Sequence, residues 1–272
     1  MRILITNDDG IDAPGIRWLT RATVRSGHDV VVAAPLKEAS GSSAAMTAVE
    51  QDGTIVVQRR ELAGARNVPA YAVAASPAFI VLLGMRDAFG PAPDVVLSGI
   101  NRGANAGAAV LHSGTVGATL TAAHAGLHGM AVSLDVLTPA TAAGGAAIDA
   151  TDDEKRHWAG AADLAVRLLP TLTHTPPGTV LNLNVPDLHP DGIRGLRRAR
   201  LARFGQVQIS IAEAGEGFVR TAVQAADEDL EPGTDLAALA GSYAVVTPIR
   251  APGEAADVRL NLETIRVQAP SR

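Results

Sequence analysis

Short apolar runs alternate with helical patterns along this 272-residue chain, and this alternation limits the fold more than any other feature. The runs at 2–6, 29–34, 94–98 and 130–134 are too short for helices and are typical of strands buried on both faces. Helical patterns follow at 16–25, 76–89 and 114–127, the first preceded by Asp12 as a possible cap. The order predicts parallel strands covered by helices, in a three-layer α/β/α, Rossmann-like fold with a mostly parallel sheet.

The rest of the chain extends this pattern less regularly. We interpret residues 1–272 as a single α/β domain, with a regular core at 1–136, 157–187 and 234–250 and later strands ended by Pro186 and Pro248. Residues 135–156 are rich in Ala, Thr, Gly and Asp and predict a surface insertion. Residues 188–233 are polar, with five Arg between 194 and 203, and predict an extended arm or hairpin.

Composition excludes several classes of protein. The absence of Cys excludes disulfide scaffolds, thiol catalysis, zinc–thiolate sites and iron–sulfur clusters. A net charge of −5 and 3% aromatic residues argue against binding to nucleic-acid duplexes or single strands. The longest nearly apolar stretch, 71–85, is shorter than the roughly 20 residues of a membrane span. We therefore expect a soluble, cytoplasmic protein that binds no membrane.

Polar clusters follow the predicted strands at their carboxyl ends. Asp8 and Asp9 follow the first strand, and Ser40 lies in a Ser- and Gly-rich loop after the second. Asn101 and Asn105 follow the 94–98 strand, and the segment 112–115 opens the next helix. Parallel strands end at one edge of a sheet, where ligands of open α/β folds bind, so we expect these groups to lie together.

The chemistry of the clustered groups indicates phosphoryl transfer. Two adjacent carboxylates require a compensating cation, and carboxylate, hydroxyl and amide oxygens suit Mg²⁺, Mn²⁺ or Ca²⁺. The predicted oxygen ligands are Asp8, Asp9, Ser40 and Asn101. The start of the helix at Ser113, Gly114 and Thr115 offers free N–H groups and a positive dipole end that suit a phosphate. A hard cation beside an anion site is the arrangement of phosphoryl-transfer enzymes.

The motifs also resemble those of a known family. NDDG, SGINRGAN, LHSGTVGA, LNLNVP and GTDLAALAGSYAVVTPI match the pattern and order of the SurE family, over about 1–136 and 178–250. The resemblance implies a metal-dependent 5′/3′-nucleotidase that hydrolyses nucleoside monophosphates to nucleoside and phosphate. It implies one Mg²⁺ or Mn²⁺ per subunit, and it implies homodimers or homotetramers that exchange arms, for which 188–233 is suited.

The resemblance also implies roles for individual residues. It places the metal on Asp8, Asp9, Ser40 and Asn101, and the substrate phosphate on Ser113, Gly114 and Thr115. We add Asn101 and Asn105 to the phosphate-binding groups and expect Asp8 and Asp9 to be catalytic, with a metal-activated water as the attacking group.

Two other classes share parts of the pattern. The opening resembles the first strand–helix–strand of a glycosyltransferase, but in those proteins a Gly-rich loop stands where this chain has Asp8 and Asp9. A receiver domain also has paired acids, but it needs an acceptor Asp after a later strand, where this chain has Leu97-Ser98-Gly99. The alternative function is a nucleotide-binding or sugar-transferring Rossmann-type protein without phosphatase activity. Phosphate release, measured with and without metal, separates these readings.

Overall fold

The computed structural model describes residues 1–136, 150–203, 207–215, 218–225, 230–255 and 257. The strands are β1 (Arg2–Thr6), β2 (Asp29–Pro35), β3 (Glu50–Gln51), β4 (Thr54–Ile55), β5 (Val57–Arg60), β6 (Ala70–Val73), β7 (Val95–Arg102), β8 (His128–Asp135), β9 (Thr179–Pro186), β10 (Leu196–Arg198), β11 (Val207–Gly215), β12 (Phe218–Ala225) and β13 (Ala244–Arg250). The α-helices are α1 (Pro14–Arg25), α2 (Pro77–Gly84), α3 (Gly114–His124), α4 (Trp158–Thr173) and α5 (Asp235–Ala240).

One nine-stranded sheet organises the fold, with the strand order β10-β13-β9-β8-β7-β1-β2-β6-β5. The six strands from β9 to β6 in this order pair in parallel, whereas β13 and β5 pair antiparallel to their inner neighbours. The carboxyl ends of the central strands therefore meet at one edge, as the alternating pattern predicts.

Both faces of the sheet are covered by helices. Ile3 and Ile5 pack into a core with residues of α1 and α4, whereas Leu4 packs on the opposite face with residues of α2 and α3. Successive residues in the middle of β1 thus face two different apolar layers, which explains the apolar run from Ile3 to Ile5. The three-layer α/β/α fold with a mostly parallel sheet is confirmed. Within the described residues, no helix is long and apolar enough to cross a bilayer.

Strand β7 is longer than predicted and carries part of the polar edge. It continues past Ser98 to Arg102, with an irregularity in its pairing with β8 between Ser98 and Asn101. A Cβ on Gly99 would lie 2.3 Å from the carbonyl oxygen of Val132, so glycine is needed where the two strands approach. The predicted loop after the strand is thus partly strand, which holds Asn101 and Arg102 on a rigid element.

Other predicted boundaries are also wrong. Ala13, not Asp12, is the N-cap of α1, and its side chain makes no capping bond. Helix α2 ends at Gly84 rather than at 89, and Asp87 follows in a left-handed conformation with φ 62°. Strand β13 runs through Pro248 to Arg250 instead of ending at the proline. Its neighbour β10 pairs with β13 only up to Val246, so the N–H that Pro248 lacks is not needed for pairing with β10.

The irregular regions of the sequence are described in part. Residues 137–149 of the predicted insertion lie outside the described residues, as do 204–206, 216–217 and 226–229 of the predicted arm. Within the arm, β10 joins the large sheet beside β13, and β11 and β12 pair with each other as an antiparallel hairpin.

Candidate active site

A cavity of about 570 Å³ lies at the carboxyl ends of the central strands. The predicted residues that line it are Asp8, Asp9, Ser40, Asn101, Asn105 and Ser113. These residues follow β1 and β2, end or follow β7, and cap α3. The structure therefore brings together residues from four separate segments of the chain.

Asp8 is held in a fixed position in the wall of the cavity. Asp8 is only 4% exposed, and its Oδ1 accepts a hydrogen bond from the hydroxyl of Thr115. Its backbone carbonyl accepts a hydrogen bond from the N–H of Ala39 at 2.7 Å, which ties the loop after β2 to the loop after β1. Burial raises the pKa of Asp8, and the hydrogen bond from Thr115 opposes that rise.

Asp9 lies beside Asp8 with a carboxylate that lacks a full set of partners. Burial raises the pKa of Asp9 to about 7, and the negative charges of Asp8 and Glu38 add to the effect, while Arg102 opposes it. Its Oδ2 is buried, and no hydrogen-bond donor among the described residues reaches it. Two adjacent carboxylates, one with an unpartnered buried oxygen, form a site that suits a cation.

The loop after β2 brings a hydroxyl to the rim of the cavity. Ser40 is exposed, and its Oγ donates a hydrogen bond to Oε1 of Glu38 at 2.6 Å. Further along the loop, Oγ of Ser43 donates to the carbonyl oxygen of Leu111 at 2.8 Å. The loop is therefore fastened on both sides of Ser40, to Asp8 through Ala39 and to the segment before α3 through Ser43.

The end of β7 contributes an amide whose oxygen is available. Nδ2 of Asn101 donates to the carbonyl oxygen of Gly103 at 2.7 Å. This bond uses the amide nitrogen, so the side-chain oxygen of Asn101 can serve as a ligand in the cavity. The position at the end of a strand gives that oxygen a rigid support.

Asn105 is held by two buried asparagines of β9. Oδ1 of Asn184 accepts the backbone N–H of Asn105 at 2.8 Å, and the backbone carbonyl of Asn105 accepts from Nδ2 of Asn182 at 2.7 Å and of Asn184 at 3.1 Å. The side chain of Asn105 donates through Nδ2 to Oγ of Ser133 at 3.0 Å. The bonds from β9 give hydrogen-bond partners to the backbone N–H and carbonyl of Asn105, which would otherwise be buried without partners.

The N-terminus of α3 is directed at Asp8. Oγ of Ser113 caps the helix by accepting a hydrogen bond from the N–H of Val116 at 3.1 Å. The backbone N–H groups of Gly114 and Thr115 partly oppose the rise in the pKa of Asp8 that burial causes. Of the three residues predicted to bind phosphate there, Ser113 lines the cavity, while Gly114 and Thr115 lie behind it against Asp8. The positive end of the helix dipole thus favours the ionised form of the Asp8 carboxylate.

Sequence reasoning missed other residues that line the cavity. They are Glu38, Arg102, His112, Asp153 and Trp158. Arg102 directly follows Asn101 and could have been found from that adjacency, since the end of a strand carries both. Asp153 and Trp158 carry no such signal, because they lie some fifty residues further along and reach the site through the tertiary fold.

The donor set fits a hard divalent cation. Two carboxylates, a hydroxyl and an amide are among the groups that line the cavity, and all offer oxygen. A group of three or more His, Cys, Asp and Glu residues able to hold a metal is not found in the part of the chain that the structure describes. The predicted set of four adds two neutral oxygen donors, from Ser40 and Asn101, to the carboxylates of Asp8 and Asp9.

Comparisons with known proteins agree with this fold. The family model described as "Survival protein SurE" matches residues 3–208. The chain is 34% identical to the 5′/3′-nucleotidase SurE of Serratia proteamaculans, covering 92% of this chain and 90% of that one. It is 36% identical to the 5′-nucleotidase SurE of Syntrophobacter fumaroxidans, covering 92% and 93%. The crystal structure of the SurE protein from Aquifex aeolicus superposes with a TM-score of 0.74 at 27% identity, covering 94% and 96%. This chain belongs to the SurE family.

Proposed function

We propose that the protein is a 5′-nucleotidase, a phosphoric monoester hydrolase that converts nucleoside 5′- or 3′-monophosphates to nucleoside and phosphate. Its membership of the family and the nucleotidase names of its relatives support this assignment. The observation that carries it is the Asp8–Asp9 pair at the edge of the sheet, with Oδ2 of Asp9 buried and unpartnered. Paired carboxylates in a polar cavity at this edge suit a cation-assisted phosphatase better than a sugar-transferring protein.

One Mg²⁺ or Mn²⁺ per subunit is proposed as the cofactor. Asp8, Asp9, Ser40 and Asn101 would hold it, because they bring four oxygen donors to one cavity. When bound, such a cation polarises the phosphoryl group and lowers the pKa of water. The raised pKa of Asp9 fits this role, since a cation replaces the proton that burial favours on the carboxylate.

The protein's own residues orient the substrate and the attacking water. Thr115 holds Oδ1 of Asp8, so we assign to Oδ2 of Asp8 the task of orienting the water and taking its proton. Asn105 and Ser113, which line the cavity, contact the phosphate in this proposal. The β9 asparagines fix Asn105 through its backbone, which restricts its amide to one position in the cavity.

Oligomer formation is also proposed, as a homodimer or homotetramer. The hairpin of β11 and β12 lies within the predicted arm 188–233 and pairs with no strand of the large sheet in the described backbone. An antiparallel hairpin of this kind can pack on a second copy of the chain and give a closed two-fold assembly.

A phosphate-release assay tests the function directly. The purified protein is treated with a chelator and then offered a panel of 5′- and 3′-nucleoside monophosphates with Mg²⁺, with Mn²⁺ or with no added metal. We expect release of phosphate only with metal. A failure to release phosphate from every substrate contradicts the nucleotidase assignment, and full activity in chelator contradicts the cofactor.

A further inference from the structure

The cavity is strongly acidic apart from one permanent cation. Four carboxylates line it, those of Asp8, Asp9, Glu38 and Asp153. Among the described residues that line it, Arg102 is the only one whose side chain is always charged positively. A phosphate monoester carries between one and two negative charges near neutral pH. One divalent cation compensates only part of the negative charge of such a cavity, so a substrate of this kind needs a further positive group.

Arg102 is fixed in the cavity wall by its backbone. It is the last residue of β7, is paired in the sheet with Leu134, and directly follows Asn101. Its backbone N–H and its positive charge both lower the pKa of Asp9, which places the residue beside the proposed cation site. Its side chain is 21% exposed and contributes to the lining of the cavity.

The guanidinium of Arg102 has hydrogen-bonding capacity to spare. Its Nε lies 3.0 Å from Oδ1 of Asp153, an ion-pair distance. Nevertheless Nε and Nη2 are buried and make no hydrogen bond of good geometry with any described residue. Nε is the nitrogen beside Asp153, so Nη2 is the donor that has no partner among the described residues and is left for an oxygen of a phosphate.

The charge of Asp153, the ion-pair partner of Arg102, is partly neutralised by a second arginine. Oδ1 of Asp153 also lies 3.0 Å from Nε of Arg156, and Nη1 of Arg156 lies 3.0 Å from Oδ2 of Asp187. Nε1 of Trp158 donates to the backbone carbonyl of Asp153 at 2.7 Å, which fixes the position of that residue. Asp153 can therefore orient the guanidinium while sharing its charge with a second arginine.

We propose that Arg102 binds the phosphoryl group of the substrate through its guanidinium and so selects phosphate-bearing molecules. This inference rests on the proposed nucleotidase function and adds a residue to it. An oxyanion in the cavity would give the buried Nη2 of Arg102 an acceptor, and hydrogen bonds made away from bulk water to a charged group are strong.

Inhibition by the two reaction products tests this role. Arg102→Ala and Arg102→Lys are compared with the wild type, and Arg86→Ala serves as the control, because Arg86 is exposed and is not among the residues that line the cavity. We expect Arg102→Ala to weaken inhibition by inorganic phosphate about 10- to 100-fold and to leave inhibition by the nucleoside unchanged. Arg102→Lys should give an intermediate loss, since it keeps the positive charge but lacks the planar guanidinium and its Nη2 donor.

Two results would overturn the proposal. One is inhibition by phosphate in Arg102→Ala equal to that in the wild type. The other is an equal loss of inhibition by phosphate and by nucleoside, which a general disturbance of the cavity would produce. Calorimetric titration of inorganic phosphate into the Mg²⁺-loaded proteins gives a readout that does not depend on activity. If the wild type hydrolyses no nucleotide but binds phosphate, and Arg102→Ala does not bind it, the nucleotidase assignment fails and the role of Arg102 stands.

Discussion

The hydroxyl of Thr115 donates a hydrogen bond to Oδ1 of Asp8, a residue 107 positions earlier in the chain. This bond joins the first turn of α3 to the loop after β1 and gives a buried carboxylate a donor. It also opposes the rise in the pKa of Asp8 that burial causes. Thr115 is therefore a positioning residue for Asp8, and the first prediction concerns it.

Replacement of Thr115 by Val removes the donor and keeps the shape of the side chain. We expect kcat/KM to fall at least about tenfold, because a buried carboxylate that loses a partner costs about 1–3 kcal/mol. Thr115→Ser retains the hydroxyl and should retain most of the activity. Thr119→Val is the matched control, since Oγ1 of Thr119 is equally buried but donates to the backbone oxygen of Val116. Equal kinetics in Thr115→Val and Thr119→Val would argue against the role.

The carboxylates of Asp8 and Asp9 should each be required for metal binding. Asp8→Asn and Asp9→Asn each remove a negative charge from the proposed cation site, so we expect the affinity for Mn²⁺ to fall at least about tenfold and most of the activity to be lost. Titration calorimetry measures the affinity. Asp12→Asn serves as the control because Asp12 is exposed in the same loop and does not line the cavity. Unchanged Mn²⁺ affinity in both site variants would contradict the ligand set.

Stability of the metal-free protein should fall as the pH rises. The pKa of Asp9 is raised from 3.8 to about 7, so the folded state keeps a proton that the unfolded chain releases. The resulting stabilisation is complete below the unfolded pKa and is lost as the pH rises through the folded pKa. Thermal unfolding in chelator between about pH 5 and pH 8 should show this loss. Asp9→Asn should flatten the dependence, and a profile identical to that of the wild type would contradict it.

Two glycines offer a matched test of the close packing at the site. A Cβ on Gly114 would lie 2.6 Å from Oγ of Ser42 and 2.8 Å from Oδ2 of Asp8, whereas one on Gly160 in α4 meets nothing within 4 Å. Gly114→Ala should lower activity strongly and destabilise the protein by about 1–3 kcal/mol. Gly160→Ala should raise the free energy of unfolding by about 0.5–1 kcal/mol, as expected within a helix. Denaturant titration and phosphate release distinguish the two, and a fully active Gly114→Ala would be inconsistent with this geometry.

The hairpin should be required for oligomer formation. Light scattering of the intact protein should give a dimer or tetramer of the 27.8 kDa chain. Replacement of residues 204–229 by a short flexible linker should give monomers and leave β10 in place, because β10 pairs with β13. A monomeric mass for the intact protein would rule out the assembly without affecting the nucleotidase proposal.

The fold could be predicted to a large extent because its signals are local. The central residues of β1, Ile3, Leu4 and Ile5, are apolar and are buried on the two faces of the sheet, a pattern that is visible in the sequence. Errors arose where pairing between distant strands decided the outcome. Strand β13 passes through Pro248, and β7 continues past Gly99 because a glycine there can approach Val132.

The site could be predicted where the topology alone brings residues together. Asp8, Asp9, Ser40 and Asn101 come to one edge as the strand order predicts, because parallel strands carry their following loops there. The partners of these groups could not be predicted in this way. The bond of Thr115 to Asp8, the support of Asn105 by β9 and the contact of Arg102 with Asp153 depend on side-chain directions and packing between segments far apart in the chain. Periodicity along a sequence carries no record of such contacts, since they are set by how whole elements pack.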